Sequence, residues 1–226
     1  MKKVILCVAI LTAMQFSKAQ TYLIGGLNVA NITKNSEGKV EDNNALLSFN
    51  AGFLHRFDLS KVVDIETGLS VTGKGSKAET NFTNNDYVKS TFNPVYLEVP
   101  LNAVIKVTDI ANNGIFFHAG PYIAMGIAGK SKTESRIGVI QSNSSSKIEF
   151  SNDNPFTSQQ DDANYNKLKR FDYGLNAGVG ISFSKALIRL NYGLGLAKIN
   201  STQSNNSVDE KNKYRVVSLN IAFKLN

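Results

Sequence analysis

The 226-residue chain contains one cysteine, no tryptophan and two histidines. The cysteine, Cys7, lies near the amino terminus, so residues 20–226 hold neither a disulfide nor a free thiol. Structural disulfides, thiolate metal sites and thiol redox chemistry are therefore excluded from that part of the chain. Packing and backbone hydrogen bonds must stabilise it without covalent crosslinks.

Long apolar runs are also missing, except at the start of the chain. The first residues, MKKVILCVAILTAMQFSKAQ, begin with two lysines, continue with an apolar run and end with small residues at the cleavage positions. This pattern is typical of a secretory signal peptide and is too short for a spanning helix. Cys7 lies inside the apolar run rather than after it, which argues against a lipid anchor. We expect residues 1–19 to be a signal peptide and residues 20–226 to form one exported domain.

The net positive charge is modest once residues 1–19 are excluded. The formal net charge is +7, and removing Lys2, Lys3 and Lys18 with the signal peptide lowers it to +4. A balance of this size does not favour a nucleic-acid partner. After residue 20 no stretch approaches 18 consecutive apolar residues, so this chain could cross a membrane only with strands. Soluble export and a membrane barrel both remain open at this point.

Apolar and polar residues alternate with a period of two, the pattern of β-strands, in several parts of the chain. The alternation covers eight segments, at 21–31, 45–58, 63–75, 91–107, 114–130, 170–183, 186–200 and 213–225. The connectors are long and polar at 32–44, 76–90, 131–169 and 201–212, and short at 59–62, 108–113 and 184–185. Long and short connectors alternate strictly, and both chain ends fall on the short-turn side. This is the plan of an outer-membrane barrel, whereas a sandwich would mix connection lengths at both ends.

The two faces of each segment also favour a membrane barrel. In FDYGLNAGVGISFS, residues 171–184, aromatic and aliphatic side chains alternate with Asp, Gly, Asn and Ser. The small polar face has too little Lys and Glu for bulk water but suits a narrow barrel interior. From Tyr173 to Phe183 the strand covers about 33 Å, or about 25 Å along the membrane normal at a tilt near 40°. We predict an all-β, eight-stranded antiparallel transmembrane β-barrel of up-and-down meander topology, with Leu175 and Val179 facing lipid and both termini in the periplasm.

Short motifs give the chain a family resemblance. They are GGLNVANI at 25–32, YLEVPLNAVIK at 96–106, GPYIAMGI at 120–127, YGLNAGVGIS at 173–182 and LNYGLGL at 190–196. In this order they resemble the PorT-like outer-membrane β-barrel family over essentially the whole mature chain. The resemblance implies an eight-stranded barrel in the outer membrane of Gram-negative bacteria, and it implies little about activity, although the founding type serves assembly of a secretion system. Two features depart from the usual pattern: Phe223, the last aromatic residue, is three residues from the end, and the aromatic girdles lack tryptophan.

Charged residues in the inward register are the main candidate site. A lower set, in the short-turn half of the barrel, consists of Arg56, Asp58, Asp64, Glu66, Lys106, Arg189 and Lys224. Confined in a narrow barrel, these acids and bases should pair, because an unpaired buried charge is costly. They are expected to close the lumen, and an ion or proton path is the functional alternative. A sparser set is expected higher in the lumen, made of Lys74, Glu98, Lys130 and Asp172.

Inward-facing positions have even residue numbers in one strand and odd numbers in the next, and this predicts how the two strands pair at the shortest turn. A two-residue loop at 184–185 pairs Phe183 with Ala186 and places Gly180 opposite Arg189. The missing side chain of Gly180 would leave room for the guanidinium to cross the lumen.

The inward-facing positions also predict the pairing around a loop centred on Lys61, because they have even residue numbers in both strands. The cross-strand pairs are Arg56 with Glu66 and Asp58 with Asp64. Two facing aspartates need a cation, for which Arg189 and Lys224 are the candidates.

The two histidines do not favour catalysis. His55 lies in the lipid-facing register and His118 in the lumen register, both near the short-turn end, whereas enzymes of this architecture carry acid–base groups at the outer rim. For His118 we expect a hydrogen-bonded lumen residue. We expect no catalytic residue, no metal ion and no cofactor.

The long connector 131–169 is the candidate contact with a protein partner. Within it RIGVI, 136–140, and KIEF, 147–150, could extend strand pairing into a hairpin with an accessible edge, and a flexible polar loop fits equally well.

The leading hypothesis is a monomeric, non-enzymatic barrel in the lipid bilayer, with a structural or interaction role in the cell envelope. A narrow channel or an accessory component of a secretion or transport system is the alternative. A soluble exported ligand-binding barrel comes third.

Overall fold

The computed structural model describes residues 19–36, 39–42, 44–82, 86–107, 113–152, 167–199 and 212–225. The expected signal peptide lies outside these residues apart from Ala19, as do parts of the polar connectors. Within the described residues, no helix has the length and apolar character needed to cross a membrane.

The described chain is built from β-strands. They are β1 (Ala19–Ser36), β2 (Lys39–Asp42), β3 (Leu46–Asp58), β4 (Val63–Gly73), β5 (Ser76–Asn81), β6 (Tyr87–Lys106), β7 (Gly114–Ile137), β8 (Ile140–Lys147), β9 (Glu149–Ser151), β10 (Lys167–Lys169), β11 (Phe171–Ser182), β12 (Ala186–Gly195) and β13 (Lys213–Lys224). Strands β1, β3, β4, β6, β7, β11, β12 and β13 each pair antiparallel with their neighbours, and β1 pairs with β13 to close the ring. The prediction of an eight-stranded antiparallel barrel is confirmed.

The alternation of side chains sets an apolar outside and a polar inside. Leu175 and Val179 on β11 are exposed, while Asn176 between them is buried. On β7 the outward apolar residues run from Ile115 to Ile127. This belt covers about 40 Å of strand at ~3.3 Å per residue, or about 30 Å along the barrel axis at a tilt near 40°. It therefore matches the thickness of a bilayer hydrocarbon core.

The shortest turn has the predicted register. The Phe183 N–H donates a hydrogen bond to the Ala186 carbonyl at 2.7 Å, and Gly180 faces Arg189. A side chain on Gly180 would collide with the ring of Phe116, so this ring, and not the guanidinium, occupies the space that the glycine leaves.

The turn between β3 and β4 also has the predicted register, with Arg56 opposite Glu66 and Asp58 opposite Asp64. The side chain of Ser60 stabilises this turn, because its hydroxyl accepts the backbone N–H groups of Val62 and Val63. Two pairs of charged residues are thereby brought to the short-turn end of the lumen.

Strands continue past the barrel at the long-loop end. We call residues 76–81, 87–94, 130–137 and 140–147 the upper sheet, whose strands lie in the order β5, β6, β7, β8. Its hairpin turns at Gly138, which has a φ of 60°, so residues 136–140 form the tip of the hairpin proposed from the sequence. Much of this sheet falls in segments that the sequence interpretation treated as connectors. Most of its side chains are exposed or half-buried on both faces, so its strands lack the apolar alternation that marks the barrel.

A β-bulge separates the barrel part of β7 from the upper sheet. Tyr96 pairs with Gly126 but Val95 pairs with Ala128, which leaves Ile127 as the extra residue. An extra residue exchanges the inward and outward positions beyond it. Lys130 is consequently exposed on the outside, and its assignment to the upper lumen set was wrong.

Candidate functional site: the barrel lumen

A carboxylate held between two guanidinium groups lies in the lower lumen. Glu66 on β4 is fully buried, and its Oε2 lies 2.8 Å from Nη2 of Arg56 on β3. Its Oε1 lies 2.6 Å from Nη1 of Arg189 on β12 and accepts the amide of Asn102 at 3.2 Å. We call these four residues the Glu66 cluster. Because its members come from opposite walls, the cluster crosses the lumen.

The facing aspartates below this cluster share a different cation from the ones predicted. Nζ of Lys106 lies 2.8 Å from Asp64 Oδ1 and 3.7 Å from Asp58 Oδ1. Asp64 pairs with Val104, so Lys106 is its diagonal neighbour on the adjacent strand. The prediction of Arg189 or Lys224 in this role was wrong, because strand adjacency places Lys106 nearer and Arg189 binds Glu66.

Lys224 lines the mouth at the short-turn end. The mouth is an open cavity of about 80 Å³, whose lining also includes Asp58, Asp64 and Lys106. Of the predicted lower set, only Asp58, Lys106 and Lys224 are more than marginally accessible to solvent.

An apolar collar surrounds the lower charges. Its members are Tyr22, Ile24, Leu54, Val104, Phe116, Leu187 and Ala222, all buried. The guanidinium carbon of Arg56 lies 4.6 Å from the ring centroid of Phe116 and 5.7 Å from that of Tyr22. These rings stabilise the cation and exclude water from the ion pair.

The histidines occupy the faces expected for them. His118 is buried in the lumen, and its Nε2 lies 2.9 Å from Asn191 Oδ1. His55 is in the outward register, with Nδ1 2.9 Å from the hydroxyl of Thr21.

The upper lumen contains a buried lysine bound by two carboxylates. Nζ of Lys74 lies 2.8 Å from Glu98 Oε2 and 2.9 Å from Asp172 Oδ2. The hydroxyl of Tyr122 donates to the same Asp172 oxygen at 3.0 Å. Ring centroids of Tyr122, Tyr96 and Tyr214 lie 4.1, 5.4 and 5.9 Å from the ammonium group. We call these six residues the lysine cage.

Sequence interpretation found the charges of the lysine cage and missed its tyrosines. All three tyrosines are buried at inward positions. The available signal was their size, because bulky side chains stand out in an interior built mainly from Gly, Ser and Asn. A cation enclosed by aromatic faces is held more firmly than by carboxylates alone.

A short segment of the long connector covers the lysine cage. We define this cap as residues 148–151 and 167–169, whose strands β9 and β10 pair in parallel. Ile148 and Leu168 pack in one apolar cluster with the three cage tyrosines. The ring of Phe150 lies over Gly126, where a larger residue would collide with it. The cap therefore seals the long-loop end of the lumen, a feature that no sequence pattern indicated.

Small polar spaces remain between the two charged levels. Two adjoining cavities of about 40 and 20 Å³ are lined by Asn, Ser and Thr side chains and by Glu98 and Arg189, together with apolar residues such as Leu54 and Val216. Cavities of this size hold only a few water molecules. Near them Asn28 donates to the hydroxyl of Thr72 at 2.8 Å and accepts from Asn50 at 2.7 Å. In the described part of the chain the lumen is thus a packed polar core.

A closed antiparallel ring with an apolar exterior and a charged, filled interior defines a transmembrane β-barrel. The sequence matches the model of the outer membrane protein beta-barrel domain family over residues 15–201, so the chain belongs to that family. It is an outer-membrane barrel protein that sits in the lipid bilayer, as the sequence predicted.

Solved structures similar to this chain include three bacterial proteins. Ail, the attachment invasion locus protein of Yersinia pestis, is 14% identical with a TM-score of 0.41, over 92% of this chain and 99% of that one. Neisserial surface protein A is 10% identical with a TM-score of 0.42, over the same shares of the two chains. OprG from Pseudomonas aeruginosa is 12% identical with a TM-score of 0.37, over 93% of this chain and 97% of that one. No curated protein matches the sequence, and no functional assignment follows from these likenesses.

Proposed function

We propose that this protein is a monomeric, non-enzymatic module of the cell envelope with a structural or interaction role. The observation that carries the proposal is the double closure of the lumen by the Glu66 cluster and by the lysine cage beneath its cap. An ion crossing the barrel would have to separate buried ion pairs in a medium of low dielectric constant, which costs several kcal/mol. The charges therefore act as structural pairs across the barrel rather than as a conducting path.

The proposal includes an orientation and a narrower family. Short turns and both chain ends face the periplasm, and the upper sheet lies outside the cell, as in other barrels with this loop plan. Residues 1–19 are removed as a signal peptide. The motifs described above support membership of the PorT-like group.

The edge of the upper sheet is the proposed contact with another protein. Among the described residues β8 pairs only with β7, and all its side chains are exposed. No proline interrupts the strand and its one charged residue is Lys147 at the end, so the usual protection of an exposed edge is weak. Its unpaired N–H and C=O groups can bind an extended segment of a partner by strand addition.

The partner strand belongs to a different protein rather than to a second copy. Two copies in one membrane share one orientation, so their β8 strands would run in the same direction. Parallel pairing is the less stable arrangement, whereas a strand from outside can approach in the antiparallel direction.

Planar bilayer recording tests the closed lumen. The purified wild-type protein should give no steady current. A narrow channel is the second candidate function, favoured by the polar cavities between the two charged levels. Steady, ion-selective conductance by the wild-type protein would replace the proposal with that candidate.

Substitutions in β8 test the proposed edge contact. The Ile148 N–H donates to the Gly129 carbonyl, so hydrogen-bonded and non-hydrogen-bonded pairs alternate from there along the hairpin. Asn143, opposite Glu134, then falls at a non-hydrogen-bonded position, and its N–H points to the free edge. Asn143→Pro removes that donor and leaves the hairpin intact, while Asn143→Ala keeps the donor as a matched control.

The readout is crosslinking in intact cells. A photoreactive residue at Ser145 should give one crosslinked protein species that persists in Asn143→Ala and is lost in Asn143→Pro. Equal crosslinking in the two variants would show that the edge is not the contact.

A further inference from the structure

A pair of lysines on the upper sheet lies in an unfavourable arrangement. Lys130 on β7 and Lys147 on β8 are exposed and directly opposite each other. The neighbouring pair, Gly129 and Ile148, carries a hydrogen bond of 3.0 Å. Lys130 and Lys147 are consequently a non-hydrogen-bonded pair, the type with the shorter Cα separation, about 4.5 Å. Like charges opposite each other at this spacing destabilise a sheet.

In the part of the chain that the structure describes, no acidic group compensates this lysine pair. Lys132, two residues along β7 on the same face, adds a third positive charge. The next residue on that face, Glu134, is opposite Lys89. Among the described residues neither lysine of the pair forms an ion pair with a carboxylate, and this includes the nearby Glu149. The site has an excess of positive charge and no partner within the described chain.

The two lysines line a cavity whose remaining walls are largely apolar. Its volume is about 520 Å³, and four of the residues that line it, Ile127, Ala128, Lys130 and Lys147, are exposed on the outside of the barrel. Besides the two lysines, its lining consists of Asn93, Val95, Ile127, Ala128, Gly129 and Ile148, the last of which is a buried residue of the cap. The hollow lies at the β-bulge, where Ile127 and the next residue, Ala128, are both exposed and the regular alternation of faces is interrupted. We call the cavity and the lysine pair the lysine groove.

The lysine groove lies at the edge of the apolar belt. The belt on β7 ends at Ile127, and three residues of strand, about 10 Å, separate it from Lys130. This is the depth at which the headgroups of the adjacent leaflet begin. Positive charge above an apolar wall at this depth complements a lipid with a negatively charged headgroup.

We propose that the lysine groove binds a phosphorylated lipid of the leaflet at the long-loop end. A phosphate group lies between Lys130 and Lys147 and removes their mutual repulsion, because its oxygens accept hydrogen bonds from both ammonium groups. The first methylene groups of an acyl chain pack against Val95 and Ile127. The site needs neither an open lumen nor a protein partner, so it is independent of the function proposed above.

Native mass spectrometry of the protein in detergent micelles tests this site. The probes are a diphosphorylated acylated glucosamine disaccharide and its dephosphorylated form with the same acyl chains. Wild-type protein should retain the phosphorylated probe and not the dephosphorylated one. The Lys130→Gln/Lys147→Gln variant should retain it on the order of 30-fold less, as expected for two lysines near an anionic headgroup.

A matched variant separates the site from overall charge. Lys77→Gln/Lys185→Gln removes the same charge from exposed positions outside the groove and should retain the probe like the wild type. Equal retention by the two double variants would overturn the proposal.

Thermal unfolding provides a second test, in which the double variant and the wild type should respond differently with and without lipid. Without lipid, the Lys130→Gln/Lys147→Gln variant should unfold at a higher temperature than the wild type, since the like-charge repulsion is gone. The phosphorylated probe should raise the unfolding temperature of the wild type and leave that of the variant unchanged. An equal rise in both proteins would place the lipid elsewhere, and a rise produced by inorganic phosphate alone would contradict a lipid as the occupant.

Discussion

Arg56 and Glu66 lie opposite each other on β3 and β4 and form an ion pair 2.8 Å long inside the barrel. Arg189 reaches the other oxygen of the same carboxylate from β12. One buried acid therefore connects two adjacent strands, β3 and β4, with β12 on the opposite side of the ring. This arrangement makes Glu66 the residue on which the lower lumen depends.

Replacing Glu66 with alanine leaves two buried guanidinium groups without their acid. We expect Glu66→Ala to lower the free energy of unfolding by about 3–5 kcal/mol, the usual cost of breaking a buried pair from one side. Heat-modifiability gels and urea titration in detergent measure the change. Glu79→Ala removes an acid from the exposed pair with Lys89 and should cost less than about 1 kcal/mol. Equal effects in the two variants would mean that the Glu66 cluster carries no special stability.

The lysine cage allows a test by charge removal in two steps. Lys74→Met leaves Glu98 and Asp172 facing each other without a cation and should destabilise the barrel by about 3–5 kcal/mol. The triple variant Lys74→Met, Glu98→Gln, Asp172→Asn has no charge left to pair and should recover most of that loss. The measurement is the unfolding temperature of the triple variant compared with that of Lys74→Met. If the triple variant were no more stable than Lys74→Met, packing by the tyrosines would be the dominant contribution.

The cap should open when Gly126 gains a side chain. In Gly126→Ala the new methyl group collides with Phe150, so the cap must move away from the lysine cage. A cysteine at Leu168, which is buried in the wild type, reports this movement in a Cys7→Ser background with no other thiol. A membrane-impermeant maleimide should label it slowly in the parent and much faster in Gly126→Ala.

A neutral glycine substitution is the control for this experiment. At Gly25 an added Cβ meets nothing closer than a carbonyl oxygen at 4.0 Å. Gly25→Ala should leave the labelling rate of the Leu168 cysteine unchanged. Slow labelling in Gly126→Ala as well would show that the cap tolerates the displacement of Phe150.

The outward face of β11 should be sensitive to charge. Leu175 is exposed to lipid opposite Pro121, near the middle of the belt. Leu175→Arg should lower the free energy of unfolding in lipid by about 2–4 kcal/mol, the cost of arginine near the bilayer midplane. Ser144→Arg on the exposed upper sheet should change it by less than about 0.5 kcal/mol. Refolding titrations in vesicles measure both, and equal stability of the two variants would contradict the membrane position of the belt.

Much of the barrel could be predicted from the sequence because the faces of a strand and the pairing at a short turn depend only on residues close together in the chain. Strict alternation decides which residues share a face, so the lipid-facing position of Leu175 and the buried position of Asn176 followed directly. Turn length and parity then determine register, which is why Gly180 was correctly placed opposite Arg189. The same reasoning identified Arg56 and Glu66 as partners.

The features that the sequence did not determine depend on contacts between distant segments. An extra residue at Ile127 moved Lys130 from the lumen to the outside, and nothing local distinguishes this residue from a regular strand position. Lys106 became the cation of the facing aspartates because β6 lies beside β4, a matter of spatial adjacency. The cap is held to the barrel by Leu168 on β10 and by Ile148 just before β9, and these short segments carry no periodicity. Alternation along one strand thus decided the faces and the register, whereas the side chains that meet across the lumen were decided only when the ring closed.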